Sequence, residues 1–310
     1  MKKNVSIVIP VYNEAKNIAN ILRAINNVLQ PMQAKYSFTV TFIDDGSRDG
    51  TLQVIKEQAA KNQHIFFVSF SKNFGHQNAL KAGFDVSNAD CVITMDGDLQ
   101  HPPELLAPML EQWETGSDVV FTVRQDQKEL SYFKRKSSMW FYNVLNSLSD
   151  IEIESGTADF RLMDKRVVDI LKTFEEVDLF WRGLVKWLGF KQSSIEYMPA
   201  ERTEGQSKYT YKKMVQFALK GITSFSTKPL SIAIYVGFTF SLLSLLYVPY
   251  VLYSLWRGNN LSGWASIIVT IAFFGGLQLT ILGIIGMYLG KLFIQSKNRP
   301  HYIINETNIK

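Results

Sequence analysis

The chain has 310 residues, 46% of them hydrophobic and 20% charged, a balance that excludes a mainly disordered protein. Its single cysteine, Cys91, excludes a disulfide framework and a cysteine-rich zinc module. The net charge of +5 is unevenly placed, and the part before Ser231 is nearly neutral, which argues against nucleic acid as a partner.

The start, MKKNVSIVIPVYNE, sets a basic pair before an apolar run, but the run is too short and too soon interrupted for a signal peptide. From there the chain alternates. VSIVIP, FTVTFI, IFFVSF, CVITM and DVVFTV are short runs rich in Val, Ile and Phe, bounded by polar turns, and they predict strands. Between them, helices are expected over Ala15 to Leu29, Thr51 to Lys61, Gln77 to Val86 and Pro103 to Glu114. This alternation predicts a mainly parallel, doubly wound sheet, whose ligands bind at the carboxyl ends of its strands.

Those ends carry chemistry. The first predicted strand ends in Pro10-Val11-Tyr12-Asn13-Glu14, the second in Asp44-Asp45-Gly46-Ser47, and the fourth in Asp96-Gly97-Asp98-Leu99-Gln100. Carboxylates gathered at one sheet edge repel each other unless a cation or hydrogen-bond donors sit among them. The Asp96-Gly97-Asp98 spacing suits a hard divalent cation with room left for water and phosphate. Gly97 leaves space for a diphosphate to approach the backbone. Each motif alone has a plain structural alternative: a solvated turn for Asp96-Gly97-Asp98, an Asx-turn with helix capping by Ser47 or Asp49, and a strand end before a helix for PVYNE. Their joint occurrence, in order and each at a strand end, favours the functional reading. There is no GxGxxG or P-loop pattern, and His64, His76, His101 and His301 are too scattered for a zinc site.

The tail is of another kind. Residues 229–256 and 258–290 contain no charge, and each stretch is long enough to cross the ~30 Å hydrocarbon core as a helix. A buried soluble hairpin is the alternative, but soluble helices of this length carry a polar stripe. Tyr247, Tyr250, Tyr253, Trp256 and Trp264 crowd the turn between the stretches, as interfacial aromatics do. Basic residues flank the pair at Lys220, Lys228, Lys291, Lys297 and Arg299, whereas the turn holds Arg257 alone. Positive flanks stay inside, so both termini are expected in the cytoplasm and the turn outside. Tyr209 to Thr227 has helical spacing of apolar residues with Lys212, Lys213 and Lys220 opposite, which predicts an amphipathic helix on the membrane surface. The expected division is a catalytic domain over 1–208, the amphipathic helix over 209–228, and a two-helix membrane region with its tail over 229–310.

PVYNE, DDGSRDGT, SKNFGHQNALKAG, MDGDLQHPPE, SGTADFRLMDKRV and EGQSKY together resemble glycosyltransferase family 2. The likeness covers essentially the whole chain and points to the branch of dolichyl-phosphate mannose synthases and bacterial polyprenyl-phosphate (bactoprenol) glucosyltransferases. It implies an α/β catalytic domain of the Rossmann-like GT-A fold. On that resemblance Pro10, Tyr12, Glu14 and Asp45 hold the base and ribose of a nucleotide sugar, and Asp96 and Gly97 lie along its diphosphate. Asp98 and Gln100 take Mg²⁺ or Mn²⁺, and Arg124 and Arg135 bind the phosphate of a polyprenyl acceptor. Arg202, with Ser207 and Lys208 of the loop after it, closes over the diphosphate, Ser207 and Lys208 also binding the acceptor phosphate, and Asp159 stands next to the reacting sugar carbon. The resemblance also implies a homo-oligomer such as a tetramer, at the inner membrane.

Physical chemistry agrees with these roles. Sugar transfer develops negative charge on the leaving diphosphate, which a metal and arginines stabilise. An acceptor phosphate, with a second pKa near ~6, is already ionised at neutral pH and needs no strong base. Asp159 then orients substrate or stabilises positive character at the anomeric carbon, unless it merely pairs with Arg161 or Arg166. Glucose from a UDP donor is the first expectation, with GDP-mannose as its rival. A processive polysaccharide synthase would carry QxxRW where this chain has LFWRGLVKWLGF. A catalytically silent scaffold would not need Asp96, Asp98, Gln100 and Asp159 together.

Overall fold

The computed structural model describes residues 2–125, 157–198, 226–257 and 263–309. Its first strand, β1 (Lys3–Val11), is buried on both faces from Val5 to Val11, as a strand covered by helices on each side must be. Helix α1 (Ile18–Leu29) follows and buries Ile18, Ile21, Leu22, Ile25 and Leu29, one stripe at helical spacing. The chain continues through β2 (Tyr36–Asp44), α2 (Thr51–Lys61), β3 (Ile65–Phe70), α3 (His76–Val86), β4 (Cys91–Thr94), α4 (Leu106–Glu114) and β5 (Val119–Arg124). After the undescribed residues 126–156 come β6 (Thr157–Asp164), α5 (Lys165–Lys172), α6 (Trp181–Trp187) and β7 (Gln192–Tyr197). Two long helices, α7 (Lys228–Trp256) and α8 (Trp264–Gln295), precede a last strand, β8 (Ile304–Thr307).

Among the described residues these strands form one sheet in the order β7-β5-β6-β4-β1-β2-β3-β8. Ile7, Ile9, Phe42 and Ile93 face α1, α2 and α4 in one core layer. Val8, Ile43, Val68 and Val92 face α3, α5 and α6 in the other. The sheet is mainly parallel, as expected, yet mixed, because two of its strands are reversed. β1 pairs in parallel with β2 and β4, and β3 with β2, but β6 runs antiparallel between β4 and β5, and β8 antiparallel beside β3. The reversal matters for the site. It brings the beginning of β6, with Asp159, to the edge where β1, β2, β4, β5 and β7 end. The hydroxyl of Thr94 donates to the Asp159 carbonyl at 2.5 Å, and that of Thr122 to the Phe160 carbonyl at 2.9 Å, fixing β6 from both neighbours.

The tail returns to this sheet. β8 pairs with β3, Asn308 Oδ1 accepts from the Phe67 amide at 2.8 Å, and Lys56 pairs with Glu306 at 2.6 Å. Just before it, Tyr302 stacks on Phe70 with ring centroids 5.0 Å apart and donates its hydroxyl to Asp85 at 2.9 Å.

Helices α7 and α8 lie antiparallel. Phe240 packs on Phe273 and Phe274, while at the other end Tyr288 donates to the Ser226 carbonyl at 2.7 Å. Ile234, Tyr235, Phe238, Leu279 and Leu292 expose their side chains. Two membrane-crossing stretches were expected; among the described residues one, Phe273–Gln295 in α8, is long and apolar enough. α7 is helical for 29 residues, but its described apolar run, Lys228–Leu243, is shorter. The expected amphipathic helix lies outside the described residues but for its last three, Ser226 to Lys228.

Candidate active site

The ends of β1 and β2 are stitched together. Asn13, at φ 58°, donates its amide to Ser47 Oγ at 2.9 Å and accepts the Arg48 amide on Oδ1 at 2.8 Å. The Glu14 amide donates to Thr51 Oγ1 at 2.9 Å, and its carboxylate accepts from Asn17 Nδ2. Burial, helped by the charges of Asp98 and Asp49, pushes the Glu14 carboxyl above its ordinary range against the Asn17 hydrogen bond. Tyr12 stands half-exposed beside it, and Pro10 is buried in β1. Asp44 accepts from the Ser47 amide and the Ser69 hydroxyl, an Asx-type turn. Asp45 is buried, and its carboxylate accepts from the Phe74 amide at 2.6 Å and the Gly75 amide at 2.9 Å. Burial still pushes its carboxyl up, with those two donors opposing.

After β4 the chain makes the turn Asp96 to Gln100. A Cβ on Gly97 would lie 2.7 Å from Val11 Cγ1 and 3.2 Å from the Pro10 carbonyl, so this glycine lets the turn seat on the end of β1. Asp98 Oδ1 accepts the Gln100 amide at 3.1 Å, and Leu99 between them is left-handed at φ 61°. Buried His101 holds Asp96 twice: Nδ1 accepts the Asp96 amide at 3.1 Å, and Nε2 lies 3.6 Å from the Asp96 carboxylate. Its ring stacks on Phe160 at 5.1 Å and meets Tyr197 edge-on.

Asp159 is only 7% exposed, and Arg182 grips it with two hydrogen bonds of 2.9 Å each. Arg161 Nη2 lies 3.6 Å away and His76 Nε2 3.7 Å away. Burial opposes its charge, but Arg182, with Arg161 and His76 behind it, outweighs burial and holds the carboxyl well below the usual range. Burial pulls the Arg161 guanidinium down to about 10, so it remains cationic at neutral pH. Asp159 is thus an ionised carboxylate with both oxygens engaged by Arg182. The partner expected for it as a plain ion pair was Arg161 or Arg166. Arg166 turns instead to Asp118 and Asp164.

Of the residues singled out from sequence, Pro10, Tyr12, Glu14, Asp45, Asp96, Gly97, Asp98, Gln100, Asp159 and Arg124 all fall at one sheet edge. Arg124 ends β5 in register with Tyr197. Burial raises the Tyr197 hydroxyl; the charges of Arg124 and Arg182 oppose this and those of Asp96 and Asp98 add to it, which ties all four to one cleft. Arg135, Arg202, Ser207 and Lys208 lie outside the described residues. Four site residues escaped sequence reasoning: His76, His101, Arg182 and Tyr197. His76, His101 and Arg182 lie within stretches already singled out, SKNFGHQNALKAG, MDGDLQHPPE and LFWRGLVKWLGF, but none was given a role there. Among the described residues no three His, Cys, Asp or Glu side chains are grouped to hold a metal. Asp98 and Gln100 offer oxygen donors, which fits a hard cation that takes its other ligands from water and phosphate.

The sequence profile of Glycosyl transferase family 2 matches residues 6–171. Over 303 residues the chain is 41% identical to a protein of Bacillus subtilis named uncharacterized glycosyltransferase YkcC, covering 97% of this chain and 93% of that one. It is 38% identical over 307 residues to the SfII prophage-derived bactoprenol glucosyl transferase of Shigella flexneri, covering 98% of each. The solved mannosyltransferase PcManGT from Pyrobaculum calidifontis, in complex with GDP-Man and Mn²⁺, aligns with a TM-score of 0.51 over 96% of this chain and 86% of that one; at 14% identity it shares the fold alone. The mixed sheet is thus GT-A-like, and the chain belongs to glycosyltransferase family 2.

Proposed function

We propose that this glycosyltransferase moves a hexose, glucose from a UDP donor in the first instance, onto polyprenyl phosphate at the cytoplasmic face of the inner membrane. The observation that carries this reading is the match to a bactoprenol glucosyl transferase along 98% of both chains, long helices included. The acceptor phosphate oxygen attacks the anomeric carbon as the bond to the donor diphosphate breaks, inverting the centre and releasing the nucleoside diphosphate. Glu14 and Tyr12 border the nucleotide, Asp96 and Gly97 the diphosphate, and Arg124 the acceptor phosphate. Asp98 and Gln100 would hold Mg²⁺ or Mn²⁺, which when bound stabilises the charge that gathers on the leaving diphosphate. Asp159, ionised and clamped by Arg182, faces positive character at the sugar carbon and takes no proton.

The anchor follows from chain tracing. If α8 crosses the bilayer, the strand after it still pairs with β3 of the catalytic sheet, so the chain must return to the side it left. An even number of crossings supports α7 as the second span, with the exposed apolar side chains of both helices toward lipid. The test is transfer by the purified full-length protein from UDP-glucose, GDP-mannose and UDP-N-acetylglucosamine to polyprenyl phosphate, with Mn²⁺ or Mg²⁺. A lipid-linked hexose formed with release of the nucleoside diphosphate is expected; release of the nucleoside monophosphate, which means transfer of sugar phosphate, or no lipid-linked product from any donor, would refute the reading.

A further inference from the structure

His76 has no role in the reaction as drawn above, yet the fold commits several contacts to placing it. Asp45 pins the Phe74 and Gly75 amides, and Gly75, at φ 96°, turns the chain into α3 with His76 as its first residue. One position on, Gln77 ties the start of α3 to the start of α6. Its Oε1 accepts the Trp181 amide at 3.2 Å, and its carbonyl accepts Trp181 Nε1–H at 2.8 Å. Trp181 is fully buried against Phe84, so this joint is rigid. The two helix starts therefore deliver neighbouring side chains, His76 and Arg182, to the same carboxylate.

His76 Nε2 lies 3.6 Å from Asp96 Oδ1 and 3.7 Å from Asp159 Oδ2. Two carboxylates drawn toward one point repel unless a donor stands between them. Asp96 thus has one imidazole beside each oxygen, but the two differ: His101 is buried, whereas His76 is 39% exposed and opens on the cleft. We propose that His76 is a positioning residue for glycosyl transfer, its Nε2 bridging Asp96 of β4 and Asp159 of β6 so that the diphosphate side and the sugar side of the cleft keep one register. The inference rests on the proposed transfer reaction and gives a role in it to a residue that lies in the SKNFGHQNALKAG stretch without an assigned one.

The test compares three variants of the full-length protein. His76→Gln carries an amide N–H at about the reach of Nε2, His76→Asn carries one that falls short, and His76→Leu fills the volume without a donor. Turnover, KM for both substrates and nucleotide-sugar affinity without acceptor are measured, with the melting temperature of each variant as a check on folding. Misplacing reacting groups by an ångström costs about 10²-fold, so His76→Leu and His76→Asn are expected to lose about that much kcat, with donor affinity within about threefold of wild type. His76→Gln is expected to recover at least a tenth of wild-type kcat. Equal kcat for the Gln and Asn variants, whether high or low, would overturn the bridging role. So would a loss confined to KM or to melting temperature. A wild-type protein that transfers no sugar would instead overturn the reaction, a result distinct from any ranking of the variants.

Discussion

Arg182→Met keeps most of the side-chain stem and removes the guanidinium. Asp159 then loses two charge-assisted hydrogen bonds of 2.9 Å and keeps Arg161 at 3.6 Å and His76 at 3.7 Å. Removing one partner of a buried ion pair costs about 3–5 kcal/mol. Arg182 is itself 33% exposed and a second guanidinium remains, so the expected loss is lower, about 2–3 kcal/mol. At about 2–4 °C per kcal/mol for a domain of this size, the melting temperature falls by about 5–10 °C. The double variant with Asp159→Asn isolates the pair. Once the carboxylate is neutral the charge-assisted part of this pair is gone, so the two effects fall short of additive by about 1–3 kcal/mol. The sign with pH also follows. A carboxyl held low in the folded state contributes its stability fully above the ordinary aspartate pKa of ~3.9 and loses it as pH falls through the folded value. The gap between wild type and Arg182→Met is therefore widest at neutral pH and narrows below about pH 4. Thermal melts of the detergent-solubilised protein across that range decide the matter. Strict additivity, or an unchanged melting temperature at neutral pH, would refute the reasoning.

Asp98→Asn should lower turnover by orders of magnitude at fixed Mn²⁺ while ligand-free melting is retained; near-normal turnover at saturating metal would remove Asp98 from the cation's ligands. Gly97→Ala forces a Cβ to 2.7 Å from Val11 Cγ1, so it should destabilise by about 1–3 kcal/mol and slow transfer by tilting the turn that carries Asp98. Wild-type denaturation and turnover in that variant would mean the end of β1 yields without cost. A cysteine at Asn259 should react with an impermeant thiol reagent on intact cells, and one at Asn298 only after the membrane is opened, with buried Cys91 silent in both. The reverse pattern would invert the topology.

The first half of the fold was legible because its burial follows simple periods. Thr51 to Lys61 is helical as expected, and the expected Gln77 to Val86 helix begins one residue earlier, at His76. Pro103 to Glu114 opens with a 3-10 turn over Pro103–Leu105 before α4. β6 was not legible as a strand, since TADFRLMD sets Asp159 and Arg161 where apolar residues are expected, and it is the pairing of Asp159 with Arg161 and Arg182 that makes its burial tolerable. β8 is exposed at every position and carries no strand pattern of its own; it exists because β3 offers an edge. The carboxylates of the cleft could be read from strand ends, whereas their cationic partners could not. Arg182 and His76 sit on helix starts far from Asp159 in sequence, and nothing local marks a side chain whose partner is supplied by topology.

The same topology bears on how the cleft meets a lipid. Gln295, at the end of α8, accepts the Val177 amide at 2.9 Å and donates to the Glu175 carbonyl at 2.8 Å, and Lys291 pairs with Asp178 at 3.5 Å. That loop leads straight into α6 and Arg182. Beyond α8 the tail is fastened again, at the far edge of the sheet, through Tyr302, β8 and Asn308. One attachment would leave a hinge. Two, on separate parts of the domain, fix the direction in which the cleft opens relative to the helix axes. On the proposed reading the donor arrives from water and the acceptor cannot leave the bilayer, so the two meet only at one height and angle. A domain already held at that angle bears the orientational cost once, on folding, and not at every turnover.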